Sequence, residues 1–225
     1  MERSSVIERV SSSSLIATNS VLRNTYLLLS LTLLFSAAAS GLAVMTNAPP
    51  MNLFLMLAVI IGFPFLLNAT RNSVWGLVLT FAYTGFIGWM LGPILNFYIK
   101  TFSNGPQLVM MAAGSTGLIF LGLSALALNP NRNFATWGKF LTIGIIVAFV
   151  ASLVNMFFLK MPALQIAVSV AFALISGGLI MYQTNMIVQG GERNYLTATV
   201  ILYVSIINIF MTMLQLFGMF GGNRN

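Results

Sequence analysis

From Asn24 onward the chain alternates between long apolar runs and brief polar breaks, and no run shows the period-two pattern of a membrane barrel. The apolar runs cover 24–46, 51–68, 74–98, 107–128, 140–159, 163–188 and 195–220. A helix needs about 20 apolar residues to cross the hydrocarbon core, and about 17 is the working minimum. Each run meets that requirement, with 51–68 at the short end. Backbone amides in lipid must be satisfied within their own segment, so runs of this length are predicted to be helices. The breaks have turn chemistry, as in Asn47-Ala48-Pro49-Pro50, Ser103-Asn104-Gly105-Pro106 and Asn129-Pro130-Asn131. They are short, so consecutive helices are expected to be antiparallel neighbours in one unit. The pattern therefore predicts an all-α integral membrane protein with seven transmembrane helices. A polar, Ser-rich N-terminal tail (1–23) leads into the seven-helix bundle (24–220), and a short C-terminal tail (221–225) follows it.

Ala37-Ala38-Ala39 looks like a cleavage site, but the polar stretch ahead of the first run is long and the run exceeds the roughly 7–15 residues of a signal core. The first segment is therefore read as a retained span.

Composition narrows the chemistry. Charged residues make up 6% and hydrophobic residues 58% of the 225-residue chain, whereas soluble domains carry roughly 25% charge. Exposing that apolar surface to water would cost about 25 cal/mol per Å², which leaves the lipid bilayer as its solvent. There is no histidine and no cysteine, so His/Cys metal sites, thiol nucleophiles and imidazole acid/base chemistry are excluded. The acids are Glu2, Glu8 and Glu192, none inside an apolar run, so paired-carboxylate chemistry has no residues to use. We expect no enzyme activity, no cofactor and no metal site.

The net charge of +7 gathers into no patch that would suggest nucleic acid. The cations fall singly between apolar runs, where they set topology. With the N-terminus inside, the inner side holds Arg3, Arg9, Arg23, Arg71, Arg132, Lys139 and Arg193, and the outer side holds Lys100, Lys160 and Arg224. This surplus predicts a cytoplasmic N-terminus and an external C-terminus.

Three groups of residues stand out within the spans. The third run carries Gly88 and Gly92 at small-xxx-small spacing, followed by Pro93; Pro64 lies in the second run. These are candidates for helix packing and hinges. The sixth run places Ser169, Ala173 and Gly177 on one face, a groove for a neighbour, and carries Gln183, Thr184, Asn185 and Gln189 near its end. In the seventh, Ser205, Asn208, Thr212 and Gln215 follow spacings of 3, 4 and 3 and share a helical face. A polar stripe in lipid must turn toward other helices or a watery cavity, so it is a candidate pore lining or a set of interhelical hydrogen bonds. Glu192 beside Arg193, between the last two runs, is a candidate gate or interfacial ion pair.

Two stretches carry a resemblance. Phe81-Ala82-Tyr83-Thr84-Gly85-Phe86-Ile87-Gly88-Trp89-Met90-Leu91-Gly92-Pro93-Ile94-Leu95 and Gly190-Gly191-Glu192-Arg193-Asn194-Tyr195, continuing through Leu202-Tyr203 to Ile207-Asn208-Ile209-Phe210, resemble the Bax inhibitor family in its YccA-like bacterial branch. Leu22-Arg23-Asn24-Thr25-Tyr26 extends the match to the first helix. The resemblance implies six helices surrounding a central seventh, in a bacterial inner membrane. It implies a protein acting by interaction, as a modulator or client of a membrane-anchored AAA protease that would grip the polar tail. Its alternative is a calcium or cation leak gated by a pair of aspartates on the sixth and seventh helices. Those positions fall on Gln183 and Ser205, which groups Gln183 with the candidate pore-lining face of the seventh helix; neither ionises, so the pH gate does not carry over.

Overall fold

Neutral, apolar sequence with polar punctuation folds as the lipid solvent dictates. In the computed structural model, residues 2–129 and 131–222 are described, with side chains from Ser20 onward apart from Pro130. The helices are α1 (Glu2–Met45), α2 (Leu53–Thr70), α3 (Val74–Thr101), α4 (Gly105–Ala127), α5 (Trp137–Val154), α6 (Pro162–Val188) and α7 (Tyr195–Gly221). Seven spans are long and apolar enough to cross a membrane, the first being Ser20–Met45. No strand occurs among the described residues.

The boundaries follow from local chemistry. Asn52 Oδ1 accepts from the amides of Phe54 and Leu55 at the start of α2. Ser73 accepts from Trp75 N at the start of α3, and Asn194 Oδ1 accepts from Leu196 and Thr197 at the start of α7. Such caps satisfy amides that have no intrahelical acceptor. Pro106 and Pro162 open α4 and α6, where a missing N–H costs nothing. Between α5 and α6 the chain widens into a π-helical turn, Asn155–Leu159, and reverses at Lys160 with φ 50°. The buried Asn155 holds this reversal: its Oδ1 accepts from Met161 N and its Nδ2 donates to Met161 O. Pro64 and Pro93 both lie inside unbroken helices.

The closest pairing is α1 with α3. Gly85, Gly88 and Gly92 make it possible, since a Cβ on each would run into Phe35, Ser36 and Ala43 of α1 respectively. The close backbone neighbours of α7 are α1, α3, α4 and α6, while α2 packs on α3 and α5 on α6. In its most apolar stretch α7 is 44% buried against 6% for α2, which makes α7 the most enclosed span. The main core joins Leu29, Leu67, Tyr83, Ile87, Ile180, Leu202, Tyr203, Ile206 and Ile209. A second cluster, including Leu95, Phe102, Leu108 and Leu214, closes the end of the bundle that holds the α3–α4 loop.

Candidate functional site: the polar face of the seventh helix

The residues of the α7 stripe separate into two settings. Ser205 is fully buried and donates to Ile201 O at 2.8 Å, within its own helix. Asn208 Nδ2 donates to Ser176 Oγ of α6 at 3.3 Å. The Thr212 hydroxyl lies 2.9 Å from Ser169 O of α6 and 3.0 Å from Asn208 O. Much of the stripe is therefore engaged in helix–helix hydrogen bonding, averaging about 0.6 kcal/mol per contact in membranes. Beyond those bonds, Asn208, Thr212 and Gln215 line a cavity of about 340 Å³ with Tyr98, Gln165 and Ser169.

Gln183 is absent from that lining. The antiparallel bonds Ser169–Thr212 and Ser176–Asn208 set the register of α6 on α7. They put Gln183 roughly one helical turn further from the cavity than Ser205. Gln183 is buried, and its Nε2 finds no hydrogen-bond partner among the described residues. Thr25 Oγ1 and Ser124 Oγ are in the same condition. The Thr199 hydroxyl lies 2.7 Å from Tyr195 O of its own helix and 3.3 Å from Thr25 O, and Asn185 Nδ2 donates to Ala127 O, so these groups sit on α1, α4 and α6 toward the same end of the bundle. An unmet buried polar group costs about 1–3 kcal/mol. Gln183→Met, which keeps volume and removes the unpaired amide, is accordingly expected to raise thermal stability by about 1 kcal/mol. Thermal unfolding in detergent checks this, and a lower melting temperature would show that the amide has a partner.

No charge enters this interior, and no cluster of three His, Cys, Asp or Glu occurs among the described residues. A divalent cation in the cavity would meet neutral oxygens only, whereas calcium sites recruit several oxygens with carboxylates among them. The middle of α7 is closed by Leu202, Tyr203, Ile206 and Ile209, all buried.

Tyr203 is the residue that spacing alone did not single out. Its hydroxyl donates to Thr84 O of α3 at 3.1 Å, and it accepts from Ser36 Oγ of α1 at 2.6 Å. Its ring meets Tyr83 edge-on at 6.5 Å, and Tyr83 stacks on Phe63 of α2. A phenol at mid-membrane depth has to find a partner, which is the signal that could have marked it.

The packing candidates divide by neighbour. Gly88 and Gly92 face α1, Ser169 faces α7 through its carbonyl, and Gly177 faces Leu123 of α4. The adjacent Gly178 turns to Leu141 of α5, so the pair serves two interfaces where periodicity pointed to one. Pro64 is exposed on α2, at the edge of a crevice with Thr80 and Val200.

Glu192 and Arg193, the candidate gate or interfacial ion pair, each bond to the backbone and not to one another. Glu192 Oε1 accepts from Asn194 N at 2.7 Å, and Arg193 Nε donates to Gly190 O at 3.4 Å. The reason is local: the turn after α6, with Gly190 at φ 73°, leaves an amide ahead of α7 that the carboxylate satisfies. The next residue, Asn194, donates through Nδ2 to Arg71 O at 2.9 Å and to Asn72 Oδ1 at 3.1 Å. At the end of α6, the buried Asn185 donates to Arg132 O at 2.8 Å and accepts from Phe134 N at 3.0 Å, and Gln189 also donates to Arg132 O.

Comparison with known proteins agrees with this architecture. Residues 18–222 match the family model described as inhibitor of apoptosis-promoting Bax1. An uncharacterized protein of Pseudomonas aeruginosa is 46% identical over 203 residues, covering 90% of each chain. The Escherichia coli K12 protein named modulator of FtsH protease YccA is 43% identical over 205 residues, covering 91% of this chain and 92% of that one. An uncharacterized membrane protein of Vibrio cholerae is 39% identical over 222 residues, covering 98% and 96%. Seven apolar spans and a match across all of them place this chain in the Bax inhibitor family, as a YccA-like membrane protein.

Proposed function

We propose that the protein is a non-catalytic inner-membrane regulator that acts by interaction, as modulator and client of a membrane-anchored AAA protease. The observation that carries this reading is the near-full-length similarity to a protein named as a modulator of the FtsH protease. The interior is consistent with it. Helices α1, α3 and α7 are tied through Ser36, Thr84 and Tyr203, and such a knot resists extraction from the membrane. The closed middle of α7 gives no matching support to a cation leak, which would need a path past Tyr203 and Ile206.

In this reading the N-terminus and the Arg71, Arg132 and Arg193 loops are cytoplasmic, the C-terminus is external, and the protease engages the polar residues ahead of the first span. Deleting residues 2–20 is expected to leave the bundle folded and to lengthen the protein's half-life severalfold in cells that contain the protease. Pulse-chase measurement with and without the protease is the check. An unchanged half-life in the deletion variant would remove the tail from the mechanism.

A further inference from the structure

The end of the bundle that holds the α2–α3, α4–α5 and α6–α7 loops carries Arg71, Arg132, Arg193, Lys139 and Arg23, all exposed. Glu192 is the only acid among the residues whose side chains are described, and its carboxylate is engaged by a backbone amide. A surplus of cations is enough to orient the helices. Orientation alone does not require the loops to be tied down, yet they are tied at the arginines themselves. The carbonyl of Arg71 accepts from Asn194 Nδ2, and the carbonyl of Arg132 accepts from both Asn185 Nδ2 and Gln189 Nε2. Both groups of donors flank the loop that bears Arg193. The α6–α7 connection therefore works as a hub that brings one arginine from each of three loops onto one face with its backbone fixed.

The guanidiniums of Arg71 and Arg132 have no partner among the described residues, and Arg193 makes a single bond to Gly190 O. We propose that these three loops form a preset cationic face that docks an acidic segment of a protein partner. Arginine suits this role because its planar fork pairs with carboxylates in two parallel bonds. Fixing the backbone beforehand lowers the ordering cost of binding. The placement of Arg193 favours protein over lipid as the occupant. Its loop leads into α7, the most enclosed span, while headgroups gather at the rim of the bundle. The chain's own N-terminal stretch is a poor occupant, because Glu2 and Glu8 are offset there by Arg3 and Arg9.

This inference rests on the proposed function for its biological meaning, since it gives the partner's contact surface a charge, but its test needs no protease. The full chain in nanodiscs of zwitterionic phosphatidylcholine would be titrated with a fluorescent Glu-rich peptide, and with a Gln-rich peptide of equal length. Two variants that each lose three charges are compared: Arg71→Gln/Arg132→Gln/Arg193→Gln, and, on the opposite side of the membrane in the proposed topology, Lys100→Gln/Lys160→Gln/Arg224→Gln. The expected result is salt-sensitive binding of the acidic peptide alone, weakened about tenfold or more in the three-loop variant and retained in the control variant. Equal weakening in both variants would reduce the effect to net charge and overturn the proposal. So would no peptide binding, including the case where arginine-dependent association appears only with vesicles containing phosphatidylglycerol, which would make the face a reader of lipid. If peptide binding follows the proposal while the half-life of the full chain is the same with and without the protease, the face stands and the protease reading falls. The converse result leaves the protease reading in place and removes the face.

Discussion

Replacing Gly88 by leucine is expected to abolish accumulation of folded protein, and Gly88→Ala to lower stability by about 1–3 kcal/mol. The size of the effect follows from what the added atoms would meet. A Cβ on Gly88 collides with the carbonyl oxygen and carbon of Ser36, which are backbone atoms of α1 and cannot rotate aside. It also approaches Ser36 Oγ at 2.7 Å, the group bonded to Tyr203. Moving α1 away to make room would therefore strain the bond that links it to α7. Gly114 supplies the control, since nothing lies within 4 Å of a Cβ built there. Gly114→Ala removes glycine's helix penalty without a clash and is expected to be neutral or stabilising by about 0.5 kcal/mol. Thermal unfolding monitored by size-exclusion chromatography in detergent distinguishes the two. If Gly88→Ala melts with the parent, α1 and α3 do not approach as closely as the structure has them.

The contrast between Gly88 and Gly114 also marks what a sequence of this kind can convey. Both are glycines in long apolar runs, and hydrophobicity does not say which side of a membrane helix is buried, because lipid and core are equally apolar. The spans could be read directly, since their ends carry caps and prolines whose chemistry is local: the structure starts α3 and α7 at Val74 and Tyr195, as the pattern indicates. Small-residue spacing pointed to Gly88 and Gly92, and the structure sets both against α1. The shared face of Ser205, Asn208, Thr212 and Gln215 follows from helix geometry, but its partners on α6 do not, because they depend on tertiary register. Gln183 was grouped with that face by resemblance, and the same register places it away from the cavity. Glu192 and Arg193 are adjacent and opposite in charge, which suggests a pair. A backbone amide two residues after Glu192 competes for the carboxylate, and that depends on a turn no charge pattern encodes.

Tyr203→Ala is expected to cost about 3–5 kcal/mol, the largest loss from any single truncation in the main core. The residue is fully buried and ties α7 to both α1 and α3 through one side chain, so removing its ring leaves a cavity bordered by Tyr83 and the α1–α3 contact. Tyr203→Phe isolates the polar part of this effect. It keeps the ring and removes the hydroxyl, leaving Ser36 Oγ without its acceptor and Thr84 O without its second donor. A loss of about 1–2 kcal/mol is expected. Ser36→Ala should cost less, because the Tyr203 hydroxyl retains Thr84 O as acceptor. In the Ser36→Ala/Tyr203→Phe double variant the losses are expected to fall short of additive by about 0.6 kcal/mol, the average for membrane hydrogen bonds. Strict additivity in thermal or denaturant unfolding would mean that the two hydroxyls do not share a proton. In that case the Tyr203 hydroxyl acts through Thr84 O of α3 alone, and the close approach of α1 rests on the glycine face of α3.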